Sequence, residues 1–281
     1  MEQKHQPVVL CLSGLDPSGG AGIQADIETL ASLGCHCAPI VTTLTAQDSS
    51  NVLELNSVDP ALIDRQMAAI FADMPVAAVK IGLLGSVEVI LQISAELAKH
   101  PGIPVILDPV LKASGGTELA SQQVIEAIRE HLLPLVFLIT PNLNEAQRLC
   151  PEPAASDEVC ASYLHAQGTP HVLITGGDSI GHQPDTVTNQ LFSTTHDLDQ
   201  GQLHDRSADP KKTMQTDSWP RLNGSFHGSG CTLAAAISGY ISLGSPVEKA
   251  VTLAQQFTHD ALEAAQPLGR GQLIPIRVSA E

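Results

Sequence analysis

The strongest constraint on the fold is a repeated alternation of short, almost unbroken apolar runs with stretches of helical spacing. Val8–Ser13, Pro39–Thr45, Ala77–Ile81, Val105–Leu107, Val136–Ile139 and His171–Thr175 read as strands. Between them, the spacing predicts helices over Gly20–Leu33 (apolar at Ile23, Ile27 and Leu30), Pro60–Ala72 (Leu62, Ile63, Met67 and Ile70), Val87–Lys99, Val124–His131, Asn142–Leu149 and Val159–Gln167. A strand that is apolar throughout must be covered on both faces, and strands alternating with helices are joined by right-handed βαβ crossovers. The expected class is therefore α/β, with a mostly parallel central sheet and helices on both faces. In such sheets ligands bind beyond the carboxyl ends of the strands, so functional motifs should lie just after them.

The pattern breaks between Thr194 and Gly224, a polar stretch that holds the only tryptophan, Trp219. It is too long for an ordinary connection and reads as a flap closing over a ligand, as a solvated insertion or as a local hairpin, with bounds of about 194–226. Gly230–Leu243 and Val247–Ala265 then read as two helices. With no internal repeat, residues 1–281 are expected to form a single domain.

Charge narrows the function. Fourteen Lys and Arg against 30 Asp and Glu leave a formal charge of −16, which would repel a nucleic-acid backbone. No apolar run reaches the roughly 20 residues of a membrane span. The first residues lack a signal-peptide pattern, so a cytoplasmic protein is expected. The six cysteines, at 11, 35, 37, 150, 160 and 231, include no C-x-x-C pair and read as reduced thiols. The 11 scattered histidines do not suggest structural zinc.

Two glycine-rich turns carry chemistry. Ser13-Gly14-Leu15-Asp16-Pro17-Ser18-Gly19-Gly20-Ala21-Gly22-Ile23-Gln24-Ala25-Asp26 follows the first strand and opens the first helix. Its glycines let backbone approach a ligand, although a simple tight turn has the same composition; neither G-x-G-x-x-G nor G-x-x-x-x-G-K-[ST] is present. The second is His227-Gly228-Ser229-Gly230-Cys231-Thr232, which opens a small-residue helix. Free N–H groups and the helix dipole make such a start an anion site, and a thiol there is expected to have a lowered pKa. The bland alternative is a turn opening a core helix with a buried cysteine.

Taken together, the motifs resemble the hydroxymethylpyrimidine/phosphomethylpyrimidine kinases of thiamin biosynthesis, members of the ribokinase-like superfamily. The family pattern D-P-S-G-G-A-G-I-Q-A-D is matched from Asp16 to Asp26. The resemblance continues in Thr42-Thr43-Leu44-Thr45-Ala46-Gln47, Val79-Lys80-Ile81-Gly82, Leu107-Asp108-Pro109-Val110, Leu133-Pro134, Ile139-Thr140-Pro141-Asn142 with Glu145-Ala146, and His227 to Thr232. It implies a ribokinase-like fold and ATP- and Mg²⁺-dependent phosphorylation of the pyrimidine alcohol, then of its monophosphate. It further implies a pyrimidine pocket formed by Gly14, Asp16, Ala21, Asp26, Gln47 and Val110, the Gln47 amide pairing with the aminopyrimidine edge. Cys231 would be the base, with Gly228, Ser229 and Gly230 donating N–H groups to the transferred phosphoryl. ATP would meet Asn142, Thr175, Gly177 and His227. Mg²⁺ or its waters would meet Asp108, Asn142 and Glu145, although Asn142 and Glu145 also have the spacing of a capping box. A homodimer is implied as well.

Three departures stand out. Thr175-Gly176-Gly177-Asp178 replaces the family's usual K-G-G-H, Ser114 stands where a lysine is usual with Lys112 nearby, and the segment before His227 is long and lacks the usual N-T. The alternatives are a pyridoxine/pyridoxal kinase and a catalytically weakened ligand-binding relative.

Overall fold

The computed structural model describes residues 6–113, 115–177, 185–195 and 211–278. The chain runs β1 (Val8–Leu15), α1 (Gly22–Ser32), β2 (His36–Gln47), β3 (Val52–Ser57), α2 (Pro60–Asp73), β4 (Val76–Ile81), α3 (Val87–Leu97) and β5 (Val105–Leu107). It continues through α4 (Gln122–Ala127), β6 (Leu138–Ile139), α5 (Leu143–Leu149), α6 (Asp157–Ala166), β7 (His171–Ile174), β8 (Thr186–Thr195), β9 (Lys211–Pro220), α7 (Ser229–Ser242) and α8 (Val247–Glu263).

The strands form one sheet in the order β3-β2-β1-β4-β5-β6-β7-β8-β9. Five neighbouring pairs, from β2 across to β7, are parallel. The outer pairs β2–β3, β7–β8 and β8–β9 are antiparallel. The chain first winds outward from β1 to β2 and β3, then returns to place β4 on the other side of β1, so the winding reverses at the carboxyl ends of β1 and β4. That reversal opens a crevice at the sheet's end.

Successive residues of a strand face opposite ways, and β1 supplies both cores. Leu10 and Leu12 pack with Ile63, Met67, Ile90 and Ile93 of α2 and α3. Val9 and Cys11 pack with Ile23 and Leu30 of α1 and with Ala234 and Ile237 of α7. Each fully buried Leu or Ile contributes about 1.5–3 kcal/mol. Among the described residues, no helix is long and apolar enough to cross a membrane.

Most of the helices start on side-chain caps: Asp59 with Pro60 for α2, Ser86 for α3, Ser121 for α4 and Ser156 for α6, while Asn142 and Glu145 form a complete capping box for α5. α1, α7 and α8 begin at Ala21, Gly228 and Pro246 without a side-chain cap, and the starts of α1 and α7 face the crevice.

The α/β class and mostly parallel sheet agree with expectation. β3, β8 and β9 do not follow from the apolar-run pattern, because an antiparallel edge need not be apolar on both faces. The helix expected over Val124–His131 instead runs Gln122–Ala127, then widens to a π-helical turn at Ile128–Leu132 and a 3-10 turn at Leu133–Leu135. Pro134 has no N–H to continue an α-helix. Of the stretch 194–226, residues 196–210 lie outside the described residues. Lys211–Pro220 is a regular strand, and Arg221 to Phe226 run from it along the crevice toward α7.

Candidate active site

The crevice is a cavity of about 1200 Å³ bounded by the uncapped starts of α1 and α7 and the ends of β1, β2, β5, β6 and β7. Glycine is required where the two turns meet. Gly22 has φ +60°, and an added Cβ would lie 2.2 Å from the Gly14 carbonyl oxygen; Gly228 has φ +74°, and its Cβ would lie 2.2 Å from the Gly20 carbonyl oxygen. The two turns are therefore in backbone contact.

Asp16 organises the first turn. Its Oδ1 accepts the Ser18 N–H at 2.8 Å, and its Oδ2 accepts Ser18 Oγ at 2.9 Å and the Ala21 N–H at 2.8 Å. His227 Nε2 lies 2.8 Å from the same Oδ2 and joins this turn to the second. Burial opposes ionisation of Asp16, but hydrogen bonds from His227, Gln47 and Ser18 outweigh it and hold the carboxyl far below the usual carboxylate range.

Beneath this turn lies a buried charge cluster. Lys80, on β4, is 0% exposed and pairs with Asp26 of α1 at 2.8 Å. It also donates to Ser13 Oγ at 3.0 Å, and Ser13 Oγ donates to Asp26 Oδ2 at 2.6 Å. Burial alone would discharge Lys80; Asp26, Cys231 and Asp108 together raise its pKa and keep it charged. Asp108, just beyond β5, is 5% exposed and lines the cavity together with Cys231. Burial raises its pKa against the pull of Lys80. Its Oδ2 has no hydrogen-bond partner among the described residues.

Cys231 sits in the first turn of α7 and opens on the cavity. Here an expectation fails. The helix start was expected to lower the thiol pKa, but desolvation pushes it up to about 12, Asp108 and Asp26 reinforcing the effect against Lys80. Local sequence reveals the helix start; it does not reveal two carboxylates arriving from α1 and β5.

The structure places Gly14, Ala21, Gln47 and Val110 on the cavity wall, together with Asp108, Asn142, Glu145, Thr175, Gly177 and the run from His227 to Cys231. Asp16 borders the cavity too, but its carboxylate is taken up by the turn. Asp26, expected in the pyrimidine pocket, is not on the wall: it is 0% exposed, beneath the floor, held by Lys80 and Ser13. Glu145 keeps both oxygens on backbone, Oε2 accepting the Asn142 N–H at 3.0 Å and Oε1 the Leu111 N–H at 3.4 Å. The capping box that the spacing of Asn142 and Glu145 allows is therefore present, and both residues also line the cavity. Thr175 donates its N–H to the Pro141 carbonyl at 2.9 Å, which brings β7 beside Asn142. Asp178 and Ser114 lie outside the described residues.

Sequence reading assigned no role to Lys80, although a lone cation inside the apolar strand Val76–Ile81 was a usable signal. Trp219 and Gln255 also line the cavity, Trp219 Nε1 donating to Gln255 Oε1 at 2.9 Å.

Comparison with known proteins places this architecture. The family model described as phosphomethylpyrimidine kinase matches residues 16–276. The thiamine biosynthesis bifunctional protein ThiED of Geobacter sulfurreducens is 36% identical over 266 residues, which cover 94% of this chain and 50% of that protein. The chain thus spans about half the length of the first curated relatives it matches. A hydroxymethylpyrimidine/phosphomethylpyrimidine kinase of Rhizobium meliloti is 34% identical over 271 residues, 94% of each chain. Among solved structures, an ADP complex of Bacillus subtilis pyridoxal kinase superimposes with a TM-score of 0.81 at 28% identity, covering 96% of this chain and 97% of that one. The match runs through both glycine-rich turns and nearly every element that frames the cavity, and by it the chain belongs to the phosphomethylpyrimidine kinase family.

Proposed function

We propose that the protein transfers the γ-phosphoryl group of ATP to the hydroxymethyl group of 4-amino-5-hydroxymethyl-2-methylpyrimidine, and then phosphorylates the monophosphate, in thiamin biosynthesis. The observation that carries this reading is the meeting of two uncapped helix starts in one cavity, one beside Gln47 and Val110 and the other bearing Cys231. A cavity of about 1200 Å³ accommodates a small acceptor and a nucleotide together.

Gln47 offers an amide to the aminopyrimidine edge, beside Gly14, Ala21 and Val110. Gly228, Ser229 and Gly230 present N–H groups to charge developing on the phosphoryl oxygens. Asn142, Thr175, Gly177 and His227 border the nucleotide's path. Cys231 acts as the base. A resident thiolate would be scarce at neutral pH with the thiol at about 12, so the proton moves in relay. The alcohol proton passes to sulfur as the S–H proton passes to the Asp108 carboxylate. The alcohol oxygen forms the new P–O bond as the bond to the ADP oxygen breaks.

The donor set fits a hydrated Mg²⁺. Asp108 Oδ2 is a buried carboxylate oxygen without a protein partner among the described residues, and Asn142 and Glu145 stand at the neighbouring strand end. These three would hold the ion's waters, and bound Mg²⁺ would neutralise phosphate charge.

Product analysis with the pyrimidine alcohol and Mg-ATP tests the assignment: the mono- and diphosphate esters are expected. Much faster turnover of pyridoxal would establish the second reading, which the structural match to a pyridoxal kinase favours. ADP release without an ester of either would leave a ligand-binding relative. A homodimer in the cytoplasm completes the proposal, and light scattering tests the dimer.

A further inference from the structure

Arg277 plays no part in the chemistry above, yet it is 3% exposed and lies next to both glycine-rich turns. Each of its three guanidinium nitrogens goes to a different element. Nη2 donates to the Gly20 carbonyl at 2.5 Å, in the turn between β1 and α1. Nε donates to Thr232 Oγ1 at 2.8 Å on α7, and Thr232 Oγ1 donates in turn to the Gly228 carbonyl at 2.8 Å. Nη1 reaches Glu28 of α1 at 3.1 Å. The Arg277 backbone carbonyl accepts Ser32 Oγ, which fixes the residue against the end of α1. The same segment shapes the approach to α7: Leu273 accepts the His227 N–H at 2.9 Å and donates its own to Ser225 at 2.8 Å.

From this geometry we infer that Arg277 is a positioning residue for phosphoryl transfer, a clamp that fixes the acceptor turn at Gly20 against the phosphate turn at Gly228. It touches no reactant. It sets the separation between the acceptor oxygen and the phosphorus, to which transfer rates are steeply sensitive: a misplacement of about 1 Å can cost about 10²-fold. A lysine offers a point charge on one stem and cannot reach three acceptors in a planar fork. The inference rests on the reading that these two turns hold acceptor and phosphate.

The test combines kinetics with amide exchange on the full-length protein. Arg277→Ala and Arg277→Lys are each expected to lower kcat by roughly 10–100-fold while KM for ATP and for the acceptor stays within about threefold. Added guanidinium ion at millimolar concentration should restore at least part of the Arg277→Ala loss and leave the wild type unchanged. Without any substrate, amides of residues 18–22 and 228–232 should exchange faster in the variants, with core strands unaffected. If Arg277→Ala does not fold, Thr232→Val carries the test, because it deletes only the hydroxyl linking Nε to the Gly228 carbonyl; a several-fold fall in kcat is then expected. A folded Arg277 variant with kcat within twofold of wild type, or unchanged exchange in both turns, overturns the inference, as does an unaltered kcat in Thr232→Val if only that variant folds. Failure of the wild type to phosphorylate the pyrimidine would overturn the substrate assignment alone, since the exchange comparison needs no turnover.

Discussion

Replacing Lys80 by Met should expose the energetics of the charge cluster under the cavity floor. The substitution keeps an unbranched chain of similar length in β4 and removes only the ammonium. Lys80 and Asp26 are both 0% exposed and 2.8 Å apart. With an effective dielectric constant of about 20, their attraction is roughly 6 kcal/mol, and each ion costs several kcal/mol to bury. The pair as a whole is therefore close to neutral for stability. Breaking it is not, because Asp26 would keep its burial and lose its counter-charge, with Ser13 as the remaining side-chain donor. Lys80→Met should destabilise the protein by about 3–5 kcal/mol. The double variant Lys80→Met/Asp26→Leu, with neither charge, should recover most of that loss. Urea unfolding of the wild type, both single variants and the double variant gives the coupling energy directly. A loss below about 1 kcal/mol for Lys80→Met, or a double variant no more stable than the worse single one, would refute this account.

Two further outcomes follow from the shifted groups. Cys231→Ser should lower kcat by about 10²–10⁴-fold, because a hydroxyl is a poorer proton carrier than a thiol, while ATP affinity by equilibrium titration stays near wild type; a near-normal kcat would exclude Cys231 as the base. His171 is pushed down to about 4 by burial, with Glu248 opposing and His165 adding to the effect. The unfolded chain, near 6.5, binds the proton more readily, so this contribution to stability is fully present above about pH 6.5 and is lost as pH falls toward about 4. Unfolding free energies from urea titrations at pH 7.5 and pH 5 should therefore differ by a contribution on the order of 1–3 kcal/mol that disappears in His171→Met.

What the sequence made legible were features that act over a few residues. The β1 run, the turn from Asp16 to Ala21 and the start of α7 at Ser229 each declare themselves through local geometry, and the structure brings them together at one end of the sheet. The less legible features depend on distant partners. Asp26 sits in a motif read as pocket-forming, but its register on α1 turns it toward Lys80, 54 positions away, rather than toward the cavity. The Cys231 thiol is governed first by its burial and then by Lys80, Asp108 and Asp26, which arrive from other elements. Arg277 carries no local signal in the sequence, and only the meeting of α1, α7 and the segment after α8 buries it. β9 is obscured by composition, since Lys212 and Asp217 suit an outer strand with solvent beside it.

The reversal of winding at β1 also has a consequence for synthesis. β1 is buried along its length except at Leu15, and its two neighbours leave the ribosome at different times. β2 can cover one edge once Gln47 has emerged, and the local β2–β3 hairpin then closes that side. The other edge waits for β4, which begins at Val76, roughly thirty residues later. At about 5–20 residues per second that is an interval of about 1.5–6 s in which the most apolar strand of the nascent chain has an unpaired row of N–H and C=O groups. It is then that β1 is most open to pairing with a strand from another chain, and the half-made sheet most in need of a chaperone.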